Sequence, residues 1–261
     1  MSDGFLEVRG VRLAFSDQGD GPVVIRAHGL TQSRKADRDL GLLDSSELVA
    51  AGYRVIAYDA RGHGVSDGTA ESATYRWGEL AEDLLAVIDH FSPGEPVRAI
   101  GISMGTATIL TAAIREPERF AALALGAPPT AWETRAPQAA MYEQLAQLVE
   151  TMPSEEFSAL LAQAPVPEIF ADVSGFGAAP DVSSALLPSV FRGAGASDLP
   201  APEALARLRT PALILAWATD TGHPLSTAQR LAELLPASTL HVSTTSTDIR
   251  TWAGRAATFF G

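Results

Sequence analysis

A serine flanked by glycines, Gly101-Ile102-Ser103-Met104-Gly105, stands where an apolar run gives way to a helical pattern. Val97-Arg98-Ala99-Ile100 before it reads as a buried β-strand. Thr106 to Glu116 after it reads as a helix, apolar at Ala107, Ile109, Leu110, Ala113 and Ile114. A strand that turns this sharply into a helix holds the serine in strained backbone geometry, the arrangement of a nucleophile elbow. Glycine on either side removes the side chains that would collide with strand and helix. The strain lifts the serine oxygen clear of the sheet at a helix N-terminus, where free N–H groups and the helix dipole favour a developing negative charge.

The remaining chain supplies a frame for such a turn. Phe5 to Arg9 and Arg12 to Asp17 read as a hairpin turned near Gly10. Val23 to Ala27 reads as a buried strand that delivers His28-Gly29-Leu30-Thr31 into a loop at its carboxyl end. Ala36 to Ala51 follows as one helix stopped by Gly52, then Arg54 to Tyr58 as a strand. Tyr75 to Phe91 is a long amphipathic helix, and Ala121 to Leu125 a further strand. Ala212 to Trp217 and Thr239 to Val242 are the last two strands, with Leu225 to Leu235 and Asp248 to Phe260 as helices. Alternation of this kind predicts a mostly parallel central sheet with helices on both faces. Between about Thr130 and Pro202 no strand pattern is found, only helical pieces separated by proline- and glycine-rich stretches. So long an interval between sheet strands predicts an inserted, mainly helical cap (130–202) on a core made of 1–129 and 203–261.

Composition narrows the function. With 19 Lys and Arg against 31 Asp and Glu, the net charge is −12, which argues against nucleic acid or an anionic membrane as partner. There are no cysteines, which excludes disulfides, thiolate metal sites and cysteine nucleophiles. No apolar run approaches the roughly 20 residues of a membrane span, and Met1-Ser2-Asp3-Gly4 lacks the basic and apolar regions of a secretory signal, so a cytoplasmic location is expected. No metal cluster or phosphate-binding glycine loop stands out, since Gly62-x-Gly64 is too short for a dinucleotide fingerprint. A small-molecule substrate with neither metal nor cofactor is the expectation.

Taken with His28-Gly29, the loop Asp59-x-Arg61-Gly62-x-Gly64-x-Ser66 and Asp220 just past a strand, the elbow makes the chain resemble the α/β-hydrolase fold family. The resemblance covers nearly everything outside the cap. It implies Ser103 as nucleophile, an oxyanion hole made by the backbone N–H groups of Met104 and Leu30, and Gly29 as the residue that shapes that loop. His28 and His63 are implied to be structural. Asp220 follows an apolar strand, where a carboxylate can orient an imidazole, and Glu133 is a weaker candidate for the same role.

The family usually carries its histidine in the loop after the last strand. Here that loop, Ser243-Thr244-Thr245-Ser246-Thr247, has none. Of the five histidines, His90 ends a helix and His241 lies within the last strand, whereas His223 follows Asp220 by three residues and precedes Pro224. Two readings stay open. In one, His223 is a relocated base and the protein is a serine hydrolase of small carboxylic esters, lactones or thioesters, working through an acyl-serine. In the other, the triad is incomplete and a degenerate or non-hydrolytic hydrolase fold binds a small carbonyl ligand. Haloalkane or epoxide chemistry in this fold resembles a carboxylate nucleophile, which the elbow lacks. Apolar cap residues, among them Trp132, Met141, Phe157, Leu160, Phe170 and Phe176, are candidates to line the substrate pocket, with the cap's own core as the competing use.

Overall fold

The computed structural model describes residues 2–177 and 179–261. Met1 and Ala178, one position in the glycine- and serine-rich stretch, lie outside the described residues. Eight strands form one sheet: β1 (Ser2–Val8), β2 (Val11–Gln18), β3 (Val23–Ala27), β4 (Arg54–Tyr58), β5 (Val97–Ile102), β6 (Phe120–Gly126), β7 (Ala212–Trp217) and β8 (Ser238–Ser243). Their spatial order is β1-β2-β4-β3-β5-β6-β7-β8. The first two strands form the expected hairpin and β2 pairs antiparallel with β4; every later pairing is parallel. β5 therefore lies inside the sheet, with its carboxyl end beside that of β3. The inner parallel strands β3 to β7 are largely buried, which is why they read as near-continuous apolar runs, whereas the edge strand β8 is only partly covered.

One face of the sheet packs on α3 (Trp77–Phe91), α4 (Met104–Arg115) and α9 (Leu225–Leu234), through Leu84, Ile88, Ile109 and Leu231. The other carries α1 (Arg34–Leu40), α2 (Ser45–Ala50) and the C-terminal pair α10 (Ser246–Ile249) and α11 (Trp252–Phe260). There Leu48, Ile100, Leu215 and Trp252 share a second core.

Two predicted helices are each broken in two. Ala36 to Ala51 stops at Gly41, which takes a left-handed φ of 62°, and restarts at Asp44, whose carboxylate accepts the Ser46 N–H at 2.9 Å. A short local cap thus outcompetes continuation of the apolar stripe. Asp248 to Phe260 likewise divides into α10 and α11.

Residues 130–202 contribute helices α5 (Arg135–Thr151), α6 (Ser154–Ala162) and α7 (Leu187–Gly195), and no strand among the described residues. Arg135 ties α5 to α7: it donates to the carbonyls of Ser197 at 2.7 Å and Ala194. The short α8 (Pro202–Leu205) leads back to the sheet. No helix among the described residues is long and apolar enough to cross a membrane.

Candidate active site

Ser103 caps the junction of β5 and α4 with φ 53° and ψ −110°, a backbone state that L residues rarely adopt. Two contacts hold it there. Its N–H donates to the Gly126 carbonyl at 3.0 Å, and the Thr106 hydroxyl donates to that same carbonyl at 2.6 Å. The glycines are required by space: a Cβ on Gly101 would sit 2.5 Å from the carbonyl carbon of Gly105, and one on Gly105 would run into the carbonyl of Ala27.

The hydroxyl of Ser103 lies 2.8 Å from Nε2 of His223, and Nδ1 of that ring lies 2.6 Å from Oδ2 of Asp220. A carboxylate at Nδ1 fixes the proton there, leaving Nε2 as the acceptor for the serine O–H. Burial raises the Asp220 carboxyl, but the His223 ring, the Trp217 indole N–H at 2.9 Å and the Gly222 amide at 2.8 Å outweigh it and bring it down to about 2. Asp220 is thus an anion at any neutral pH. Thr219, with φ 69°, turns the chain so that the acid and the imidazole three residues later converge on one hydroxyl.

Residues 22–163 match the family described as alpha/beta hydrolase fold. The chain belongs to that family. It is 30% identical over 206 residues to 3-oxoadipate enol-lactonase 2 of Acinetobacter baylyi, a match covering 73% of this chain and 70% of the relative. It is 30% identical over 118 residues to an epoxide hydrolase of Caballeronia sordidicola, covering 45% of this chain and 34% of the relative. The chain thus spans only about a third of that relative's length. A solved hydrolase of Pseudomonas aeruginosa PA01 superposes with a TM-score of 0.82 at 22% identity, over 99% of this chain and 98% of that one.

In this α/β-hydrolase the predicted oxyanion donors flank the serine. Met104 opens α4, so its N–H has no partner within the helix, and Leu30 leaves β3 just after Gly29. Neither amide donates to an acceptor among the described residues. A cavity of about 300 Å³ opens on Gly29, Leu30, Ser103 and His223, walled by Ile102, Phe176, Phe191 and Trp252. Tyr142 of α5 and Phe191 of α7 bring the helical segment over the carboxyl ends of the strands.

Three residues proposed for the pocket lie elsewhere. Trp132 packs against the main core and donates its indole N–H to Pro200 at 3.2 Å. Met141 points outward at 42% exposure. Phe157 is buried with Tyr75, Val190 and Phe191 in a core of the helical segment itself. Leu160 is exposed, and Phe170 is buried behind Phe176 with the rings 4.0 Å apart. Glu133 is exposed and has no bond to His223.

The other histidines are engaged away from Ser103. His28 accepts the Ala60 N–H at 2.9 Å, which braces the loop after β3. His63 is fully buried against it with rings 5.1 Å apart, and burial, reinforced by His28, holds its pKa down at about 3. His241 bonds to Asp248 at 2.8 Å. The loop after β8 is used structurally: Thr245 caps α10, and the Ser243 hydroxyl accepts the Trp252 indole at 2.9 Å. No group of three or more His, Cys, Asp or Glu that could hold a metal is present among the described residues.

Sequence reasoning missed Trp217, whose indole N–H holds Asp220 from the end of β7. It also missed Arg26, read as part of an apolar strand, which lines the cavity. A tryptophan three residues before the acid and an arginine inside a buried strand were the available signals.

Proposed function

We propose that the protein is a serine hydrolase of small carboxylic esters, lactones or thioesters, with His223 as a general base carried on the same loop as its acid. The observation that supports this is the chain of contacts from Ser103 Oγ to His223 Nε2 at 2.8 Å and from His223 Nδ1 to Asp220 at 2.6 Å. Ser103 attacks the carbonyl carbon while His223 takes its proton. The oxyanion forms beside the Met104 and Leu30 amides, each worth on the order of 3 kcal/mol to such a transition state. His223 then returns the proton to the leaving oxygen or sulfur, and water, activated by the same ring, releases the acid and frees Ser103. In this reading residues 130–202 act as a cap that keeps bulk water from the acyl-enzyme, and the cavity limits the acyl group to a small one.

Epoxide opening, the activity named for one relative, is not the chemistry that an elbow bearing a hydroxyl suits best. Hydrolysis of p-nitrophenyl acetate tests the proposal. Ser103→Ala is expected to abolish turnover with the melting temperature unchanged, and wild-type turnover in that variant would rule out serine nucleophilic catalysis.

A further inference from the structure

Arg26 is the penultimate residue of β3, inside a buried run where an aliphatic residue would be ordinary, and it is only 6% exposed. Its side chain lines the same cavity as Ser103 and His223. In the sheet Arg26 stands opposite Ile100, three residues before Ser103, so it marks a point about 10 Å along the strand from the nucleophile. Arg26 and Asp37 are the only Arg, Lys, Asp or Glu residues lining the cavity among the described residues.

The pair is incompletely satisfied. Arg26 donates from Nη1 to the Ser45 hydroxyl at 2.8 Å and from Nη2 to Asp37 Oδ2 at 3.2 Å. A guanidinium has five N–H groups, so three are left over, and Nε is buried with no acceptor. Asp37 accepts one side-chain bond and keeps its other oxygen free among the described residues. Stability alone does not call for such a pair, because well-packed aliphatic residues in place of a buried ion pair are often neutral or stabilising. Spare guanidinium N–H groups and a spare carboxylate oxygen, on two bonded residues that both line the cavity, are what a ligand group that both accepts and donates would complete. A carboxylate can only accept, and it would bring a second negative charge beside Asp37 in a poorly solvated place.

We propose that Arg26 and Asp37 form a recognition site for a hydroxyl at the far end of the substrate's acyl chain, so that the preferred substrates are esters of hydroxylated acids. This rests on the acyl-Ser103 reading for its orientation, with the carbonyl at Ser103 and the hydroxyl at Arg26. The site sets specificity and takes no part in the bond-breaking steps.

Calorimetric binding to the Ser103→Ala variant separates the subsite from the chemistry. The ligands are methyl esters of straight-chain acids from butanoic to octanoic, each ending in methyl, hydroxyl or carboxylate. At one chain length the hydroxyl ester is expected to bind at least about tenfold more tightly than both partners of that length, since a site built to hydrogen-bond a hydroxyl rejects the analogue lacking it. The double replacement Arg26→Leu with Asp37→Leu, made in the same background and checked for an unchanged melting curve, is expected to remove that preference. Asp37→Asn, which keeps the shape, is expected to weaken it. Equal binding of methyl and hydroxyl esters at every length, tighter binding of the carboxylate, or a preference that survives the double replacement would each overturn the proposal. Turnover of the same series by wild-type protein reports on Ser103 separately: selective binding without turnover would leave the subsite standing and remove the acyl-serine reading.

Discussion

At the scale of single residues, the site depends on a carboxylate that is polarised by three donors and buried by its neighbours. Trp217 is the donor whose loss can be isolated. Its ring stacks on Trp252 at 5.4 Å and meets Phe170 edge-on at 4.9 Å, so phenylalanine keeps much of the packing and removes only the N–H. Trp217→Phe is expected to raise the Asp220 pKa above about 2 and to lower kcat/KM by about tenfold, the scale of a hydrogen bond to a charged group. Carboxyl-carbon NMR against pH and steady-state kinetics read the two effects, and an unmoved Asp220 titration would contradict the assignment. The elbow serine and the position of Asp220 and His223 past β7 were legible in the sequence because each follows a recognisable strand, while the sequence alone leaves open whether the His223 ring reaches Ser103. The polar contacts of Arg26 and Trp217 were not legible, because both belong to apolar strand runs, where an arginine stem or an indole ring reads as core and its N–H partner goes unmarked. Trp132, Met141 and Phe157 failed as cavity residues for a related reason: apolar character marks burial or packing, and does not say against which surface.

At the scale of elements, the elbow is the most demanding join in the chain. α4 crosses so close to the end of β3 that Gly105 has no room for a methyl group against the Ala27 carbonyl. Gly105→Ala is therefore expected to push the helix away from the end of β3, which leads into the loop of Leu30. The expected result is a loss of 2 kcal/mol or more in chemical denaturation, about the range of overpacking, together with loss of esterase activity. A fully stable variant would contradict the close approach. Strand positions and the hairpin were readable from the sequence because buried runs and glycine turns report local preferences. Helix continuity was less so: the stripe over Ala36 to Ala51 persists across a break that Gly41 and Asp44 create with a few hydrogen bonds. The end of β8 and the loop after it show the same thing: Ser243 holds Trp252 and Thr245 caps α10, and the imidazole beside Ser103 stands on the loop after β7 instead.

At the scale of the whole molecule, the loops that shape the site lean on buried polar groups, and this makes stability depend on pH. His63 is fully buried with its pKa lowered from 6.5 to about 3, chiefly by burial. The unfolded chain binds a proton there below about pH 6.5 and the folded chain does not. Its contribution is therefore complete above pH 6.5 and is lost as pH falls from there toward 3, by as much as about 1.4 kcal/mol per pH unit. Urea unfolding at a series of pH values between 7 and 4 is expected to show this fall, with a shallower slope in His63→Gln. An identical slope in that variant would place the acid sensitivity elsewhere.

In the proposed reaction it is His223, and not a histidine at the end of the sheet, that activates Ser103. The most direct measurement is the rate at which a fluorophosphonate adds to the intact protein, followed by mass spectrometry, in wild type and in the Ser103→Ala, His223→Ala and His241→Ala variants. His241 is the informative control, since it lies on β8 and bonds to Asp248, away from the serine. One adduct on Ser103 is expected in wild type and none in Ser103→Ala. Labelling is expected to slow by about 10² or more in His223→Ala, within the usual range for loss of a general base, and to keep its rate in His241→Ala. Labelling of His223→Ala at the wild-type rate, or a slowing confined to His241→Ala, would contradict this role of His223.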